Sequence, residues 1–480
     1  MITFLIALAV LIAGYFIYGK ITEKIFGIES NRPLAAFTRQ DGIDYIPMKP
    51  WRIFMIQFLN IAGLGPIFGA IMGAKFGVAS YLWIVFGSIF GGAVHDYLSG
   101  MISLRMDGAS LPEIHGKYLG KGVKQFMRVF MVVLMILVGV VFVVGPAGLL
   151  ADLTPGYLNT AFWIGVILVY YFLATMLPID KIIGKIYPFF GFCILFMAVG
   201  IFVCLLIHHP ALPEIWDGLA NRHPQAATNP IFPMMFVSIA CGAISGFHAT
   251  QSPLMVRCMT HEKYGRPVFF GSMIAEGIVA LIWAAAASYF FFDTDQGRSI
   301  FAEGTNASII VNAISRDWMG IFGGVLVIMG VIFAPISTGD TAFRSARLII
   351  ADFLKIDQKP ILKRLWIAVP LFILAGFILA YSLIDKNGFE TIWRYFAWTN
   401  QTLAVFTLWA ITVYLVLNKK PYLFTLIPAL FMTMVCSTFV FAQEEGFLGL
   451  DQGISCILGG IVTLATLIGF IIWKRSVKIA

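Results

Sequence analysis

Charge is scarce in this chain. Of 480 residues, only 12% are Asp, Glu, Lys or Arg, about half the share of a soluble domain. That scarcity leaves no soluble domain of useful size. Cysteine is sparse too. The six cysteines, such as Cys193, Cys204 and Cys241, lie in or beside apolar runs and lack metal-ligand spacing, so they read as buried free thiols. There is no HExxH, no paired carboxylate–histidine helix motif and no nucleotide-binding loop, so the signatures of a membrane enzyme are missing. A metal set of His95, Asp96 and His115 can be drawn on paper only. The first segment, MITFLIALAVLIAGYFIYGK, has neither a basic start nor a small-residue cleavage site. It reads as a retained helix and not as a signal peptide.

What is present is apolar. Hydrophobic residues make up 59% of the chain, in recurring runs of about 20 residues, the length that spans roughly 30 Å of hydrocarbon. About thirteen such spans are predicted, near residues 2–19, 52–74, 78–104, 125–148, 159–178, 186–208, 231–257, 266–292, 318–340, 363–384, 392–417, 422–441 and 453–473. The expected fold is an all-α polytopic membrane protein, one transmembrane domain over 1–480. Lys and Arg concentrate in the loops after spans 1, 3, 5, 7, 9 and 11 and at the C-terminus; the other loops hold only Lys75, Arg222, Arg298, Arg316, Lys386 and Arg394. The positive-inside rule then places the N-terminus outside and the C-terminus in the cytoplasm. The net charge of +8 follows from those loops and implies no nucleic-acid partner; the partner is the bilayer.

Two spans interrupt themselves. NIAGLGPIFGA at 60–70 carries Gly63, Gly65, Pro66 and Gly69, and CGAISGFHATQSP at 241–253 carries Gly242, Gly246 and Pro253. A helix interior disfavours glycine by about 1 kcal/mol and proline by about 3, and lipid makes an unpaired backbone group dearer still. The breaks fall five spans apart, in spans of opposite direction. Spans 2–6 (51–208) and 7–11 (231–417) then form two inverted five-helix halves, with extra elements at 1–50 and 418–480. Discontinuous helices at matching places are a pointer to a transport site. Pro66 suits the first turn of the outer half-helix, whose positive end favours an anion. Close helix packing by glycine is the plainer alternative.

The stretches RPLAAFTRQDGIDYIP (32–47), AGLGPIFG (62–69), GGAVHDY (91–97), SGFHATQSP (245–253), DTAFRSAR (340–347) and TNQTLA (399–404) resemble the carbon starvation protein A family of bacterial inner-membrane transporters, here in a short form. ATQSP after His248 departs from the longer members. The resemblance implies import of peptides during carbon starvation, or of small carboxylates such as pyruvate, by symport with an ion. It also implies the inverted-repeat fold of the amino acid–polyamine–cation superfamily. In that fold the helix matching span 9 pairs with the first broken helix to hold sodium. Here that points to Ser337, Thr338 and Thr341 with carbonyls near Ala62 and Gly63, oxygen ligands suited to a hard cation.

Polar groups inside spans are functional candidates by default. The substrate-binding set is Asn60, Gly63, Gly65, Gly69, Ser245, Gly246, His248, Gln251, Asn400 and Gln401. His248, expected within the break, binds a substrate carboxylate or carries a proton. His95, Asp96 and Glu276 form the proton-coupling set, since a histidine beside a carboxylate relays protons near neutral pH. Plainer readings stay open: Asp96 as a hydrogen-bond acceptor between helices, Asn400 and Gln401 as interhelical bridges, and Asp340–Arg344 as an i, i+4 ion pair. Trp393, Tyr395 and Trp398 are expected to shape a pocket large enough for a peptide. Residues 293–318 are expected to include a helical cap, and 20–50 to latch the inner gate. No cofactor is expected beyond the coupling ion, H+ or Na+; the oligomeric state stays open.

Overall fold

A computed structural model describes residues 1–477 except 43, 178, 296, 300–306, 359, 385–387 and 445–446; of 179–188, 322 and 388–390 it describes the backbone alone. The described chain is helical, in the order α1 (Ile2–Phe26), α2 (Pro50–Ile61), α3 (Gly65–Ala74), α4 (79–105), α5 (Leu111–Leu119), α6 (Lys121–Leu153), α7 (Thr160–Met176) and α8 (Ile179–His208). There follow α9 (231–238), α10 (Gly246–Val256), α11 (266–293), α12 (307–319), α13 (321–354), α14 (Ile361–Ile384), α15 (Gly388–Leu417), α16 (Leu423–Ala442) and α17 (Gln452–Ser476). Among the described residues, nine helices are long and apolar enough to cross a membrane, and the bent pair α2–α3 makes ten. The other expected places, 79–105, 160–176 and 231–256, are helical but shorter or interrupted by π-turns and a break. The chain is a multi-pass membrane protein.

Both expected interruptions exist, each slightly earlier in the chain than the glycines suggest. Helix α2 stops at Ile61, where Ala62 leaves helical geometry (φ −76°, ψ 53°). Gly65 and Pro66 already belong to α3, whose axis is bent 54° from α2. Proline sits well there, because a first-turn N–H has no helical partner to lose. In the second span Ile239 ends α9 with nearly the same conformation (φ −93°, ψ 57°), and α10 restarts after the extended residue Ser245. The unwound segments are therefore 62–64 and 239–245. His248 and Gln251 lie inside α10, not in the break.

Glycines bring the two interrupted spans together. Gly65 faces the Cys241 side chain and Gly73 that of Ile239. A Cβ on Gly69 would sit 3.0 Å from the Ser238 carbonyl, and one on Gly242 3.8 Å from Pro66 Cα. Small residues at a crossing allow backbones to approach where lipid supplies no hydrophobic drive. Helix α13 packs on α6 and α8, and α17 lies on α16 at the rim. The exposed Ile457, Ile461, Leu464 and Ile468 of α17 face where acyl chains would lie.

Residues 307–319 are helical up to Gly320 (φ +64°), as expected of a cap; 300–306 lie outside the described residues. The stretch after α1 acts as a strap. Glu29 N donates to Glu262 (2.7 Å), Met48 N to the Cys258 carbonyl (3.1 Å), and Arg39 pairs with Asp107 (2.7 Å). Arg105, at the end of α4, lies 3.3 Å from both Glu29 and Glu262. The strap thus ties the end of α4 to the loop after α10.

Candidate functional site

Four buried ionisable side chains from three helices meet beside the second break. His95 and Asp96 stand on α4 just after its π-turn, His248 two residues into α10, and Glu276 on α11; none is exposed. Asp96 Oδ1 lies 2.8 Å from His95 Nδ1 and Asp96 Oδ2 2.8 Å from His248 Nδ1. On its far side His248 Nε2 lies 3.2 Å from Glu276 Oε2, an ion-pair distance without hydrogen-bond alignment. Among the described residues, His95 Nε2 has no hydrogen-bond partner. The order in space is His95–Asp96–His248–Glu276.

Bond polarity restricts where the protons can be. An ionised Asp96 only accepts, so both Nδ1 atoms carry hydrogen. His248 Nε2 then either bears a proton that an ionised Glu276 attracts, or offers a lone pair to a protonated Glu276. The gap between His248 and Glu276 is thus a place where a proton can be held. His95 Nε2 offers a second place. Two carboxylates flank His248, a setting that suits a proton carrier.

The break itself is held by neighbours. Asn400 Oδ1 accepts from Ser245 Oγ (3.0 Å) and Phe247 N (2.7 Å), and its Nδ2 donates to Cys241 Sγ (3.4 Å). Asn400 thereby caps α10 from another helix. Gln401 Nε2 donates to the Phe236 carbonyl at 3.3 Å, on the other side of the break. The pair bridges helices, the plainer of its two expected roles. Ser88, which the sequence reading passed over, donates to the Gly242 carbonyl at 3.1 Å. Its place on a glycine-rich π-turn, GSIFGG, was the signal.

The first break is met by α13. Ser337 Oγ and Thr338 Oγ1 donate to the Leu59 carbonyl at 3.1 and 3.2 Å, and a Cβ on Gly63 would lie 3.1 Å from Thr338 Oγ1. The carbonyl those hydroxyls reach is that of Leu59, ahead of the expected Ala62 and Gly63. Thr341 turns back to the Thr338 carbonyl (2.9 Å). Arg344 donates to Ala174 and Leu177 carbonyls (2.6 and 2.9 Å), and Tyr170 donates to Asp340 (2.9 Å).

The remaining candidates disperse. Gly63 also faces the Phe142 ring, Gly246 the backbone of α15, and Gln251 donates to Thr250 Oγ1 (3.0 Å). Gly65 and Gly69 pack against the other break, so in this conformation these glycines serve close approach. Trp398 donates to the Cys436 carbonyl (3.3 Å), and the Tyr395 and Phe447 rings lie 5.5 Å apart. These contacts lie with α16 and the segment after it. Trp393 lies against Phe68 of α3 (6.2 Å). Asn60 is buried beside the first break, and among the described residues neither of its side-chain polar atoms has a hydrogen-bond partner. His115 is 3.4 Å from Thr407. Among the described residues, no group of three or more His, Cys, Asp or Glu is arranged to hold a metal.

The family model described as "Carbon starvation protein CstA" matches residues 1–156, 151–293 and 284–439. An uncharacterized membrane protein of Haemophilus influenzae is 42% identical over 61% of this chain and 91% of its own length. The peptide transporter CstA of Bacillus subtilis is 26% identical over 99% of this chain and 96% of that protein. The pyruvate/proton symporter BtsT of Escherichia coli is 25% identical over 56% of this chain and 46% of that protein. Among solved structures, a manganese transporter of Eremococcus coleocola superposes with a TM-score of 0.57 over 91% of this chain and 98% of that one. At 12% identity that likeness speaks for the fold alone.

Proposed function

Because the chain belongs to the carbon starvation protein CstA family, we propose that it is a secondary active transporter that imports peptides across the bacterial inner membrane during carbon starvation, by alternating access coupled to protons. The observation that carries this reading is the buried chain His95–Asp96–His248–Glu276 across α4, α10 and α11. Ionisable groups inside a membrane are costly and mark ion pathways. Here α10 is a half-helix, and half-helices move in alternating access. When α10 shifts against α4 and α11, the contacts of His248 with Asp96 and Glu276 break together, and the proton between them is released to the open side.

The same reading gives thirteen crossings, with α2–α8 and α9–α15 as inverted halves. Its support is the pair of breaks, each begun by a residue with nearly equal ψ, 53° and 57°. The basic loops favour an outer N-terminus and a cytoplasmic C-terminus. Sodium coupling is the second reading, favoured by the Ser337 and Thr338 hydroxyls on the Leu59 carbonyl. Pyruvate is the second substrate, favoured by the relation to BtsT.

Purified protein in liposomes tests the proposal. A labelled dipeptide should accumulate above its outside concentration under an imposed inward proton gradient, with no sodium present. Accumulation of pyruvate alone would replace the substrate. Accumulation that needs sodium, and is lost in Ser337→Ala and Thr338→Ala, would replace the coupling ion.

A further inference from the structure

Helix α2 carries two carboxamides that proton movement leaves unused. Gln57 and Asn60 stand one turn apart and have no solvent exposure. Among the described residues, all four of their side-chain polar atoms lack a hydrogen-bond partner. Taking amides out of water unpaired is expensive, and buried polar groups are normally satisfied. This protein satisfies others nearby: Asn400 uses both ends of its amide.

The location gives the orphaned pair a purpose. Asn60 lies two residues before the unwound Ala62. The intervening Leu59 carbonyl is held by α13. Helix α2 packs against α10 and α11, the elements that carry His248 and Glu276. The unpaired groups are thus on the segment that enters the first break, beside the proton-carrying helices.

Their chemistry selects a ligand. Each carboxamide presents an NH2 donor and a carbonyl acceptor. A carboxylate such as pyruvate only accepts, so it would leave Gln57 Oε1 and Asn60 Oδ1 unpaired. A peptide unit presents one N–H and one C=O and can satisfy both kinds of group. Resting on the peptide reading above, we infer that Gln57 and Asn60 form a subsite that recognises the peptide group of the substrate by paired hydrogen bonds. A site built to bond an N–H strongly rejects an analogue that lacks it.

The test compares dialanine with its depsipeptide analogue, in which an ester oxygen replaces the peptide N–H. Wild-type protein in liposomes should take up dialanine at least roughly tenfold more efficiently, the weight of one buried bond left unmade. Gln57→Leu and Asn60→Leu should reduce dialanine uptake and bring the two substrates to within about threefold of each other. Each variant should melt in detergent at or above the wild-type temperature, since each removes an unpaired buried amide. Equal wild-type uptake of dialanine and ester would overturn the subsite while leaving peptide transport standing. So would variants that discriminate as the wild type does. Absence of any wild-type dialanine uptake would overturn the peptide reading and the subsite with it.

Discussion

Each Asp96 oxygen lies 2.8 Å from a histidine ring nitrogen, and an ionised carboxylate can accept from both at once. In Asp96→Asn an amide NH2 replaces one acceptor, so one histidine must flip its tautomer and the proton order along the chain is lost. Accumulation under a proton gradient should fall roughly tenfold or more, in line with removal of a proton-transfer group. Exchange of labelled for unlabelled substrate without a gradient should persist, because the substrate contacts remain. His248→Ala should behave alike; liposome uptake and counterflow separate the two activities. Asn400 poses a different question, because it caps α10. Asn400→Ala leaves Phe247 N and Ser245 Oγ without their acceptor and should lower stability by about 1–3 kcal/mol, read by thermal denaturation in detergent. Unchanged stability with weakened substrate binding would instead make Asn400 a substrate ligand.

Elements explain why the breaks hold their shape. Helix α3 crosses the second break through glycines, and a Cβ on Gly65 would collide with the Cys241 side chain. Gly65→Ala should destabilise by about 1–3 kcal/mol, the usual cost of overpacking, and Cys241→Gly in the same chain, which removes the Cβ and Sγ that the new methyl meets, should recover part of the loss. At the other end of α4, helix α5 is tied to α6 by Glu113, which pairs with Lys124 and with Arg128 at 2.7 Å. Burial pushes the Glu113 carboxyl up, but hydrogen bonds and charge from Lys124 and Arg128 outweigh it and hold it below the ordinary 4.5. A lowered folded value means the stabilisation is present above that ordinary value and fades as pH falls through the lower one. The pair is partly exposed, so Glu113→Gln should cost under about 1 kcal/mol at neutral pH, and the difference should vanish in acid melts. Both breaks were legible because glycine and proline are out of place in lipid. Their boundaries were not, because helix ends depend on partners such as Asn400 and Ser337 that stand far away in sequence. His95, Asp96 and Glu276 were legible as charges inside apolar runs. The bond of His248 to Asp96 joins residues 152 positions apart and needed the fold. Gln57 was within reach of the same rule that found Asn60, as a polar residue one turn earlier.

The whole molecule adds the strap. Arg105 holds Glu29 and Glu262 together, so Arg105→Ala should free residues 27–49. Limited proteolysis of inside-out vesicles should then cut that stretch several-fold faster than in wild type, while right-side-out vesicles stay resistant. Cutting from the other face would reverse the orientation drawn from the basic loops. The aromatic residues were the least legible from sequence: Trp398 and Tyr395 meet Cys436 and Phe447, and composition marks them as amphipathic without saying which neighbour they meet. The central claim is that a proton carried by the His95–Asp96–His248–Glu276 chain drives uptake. Simultaneous recording of labelled dipeptide and internal pH in liposomes, for wild type and Asp96→Asn, tests it most directly. The account predicts that the dipeptide enters wild-type vesicles together with protons, acidifying the lumen, and that Asp96→Asn exchanges dipeptide without moving protons. Dipeptide accumulation with no change of internal pH, or acidification that Asp96→Asn leaves intact, would contradict it.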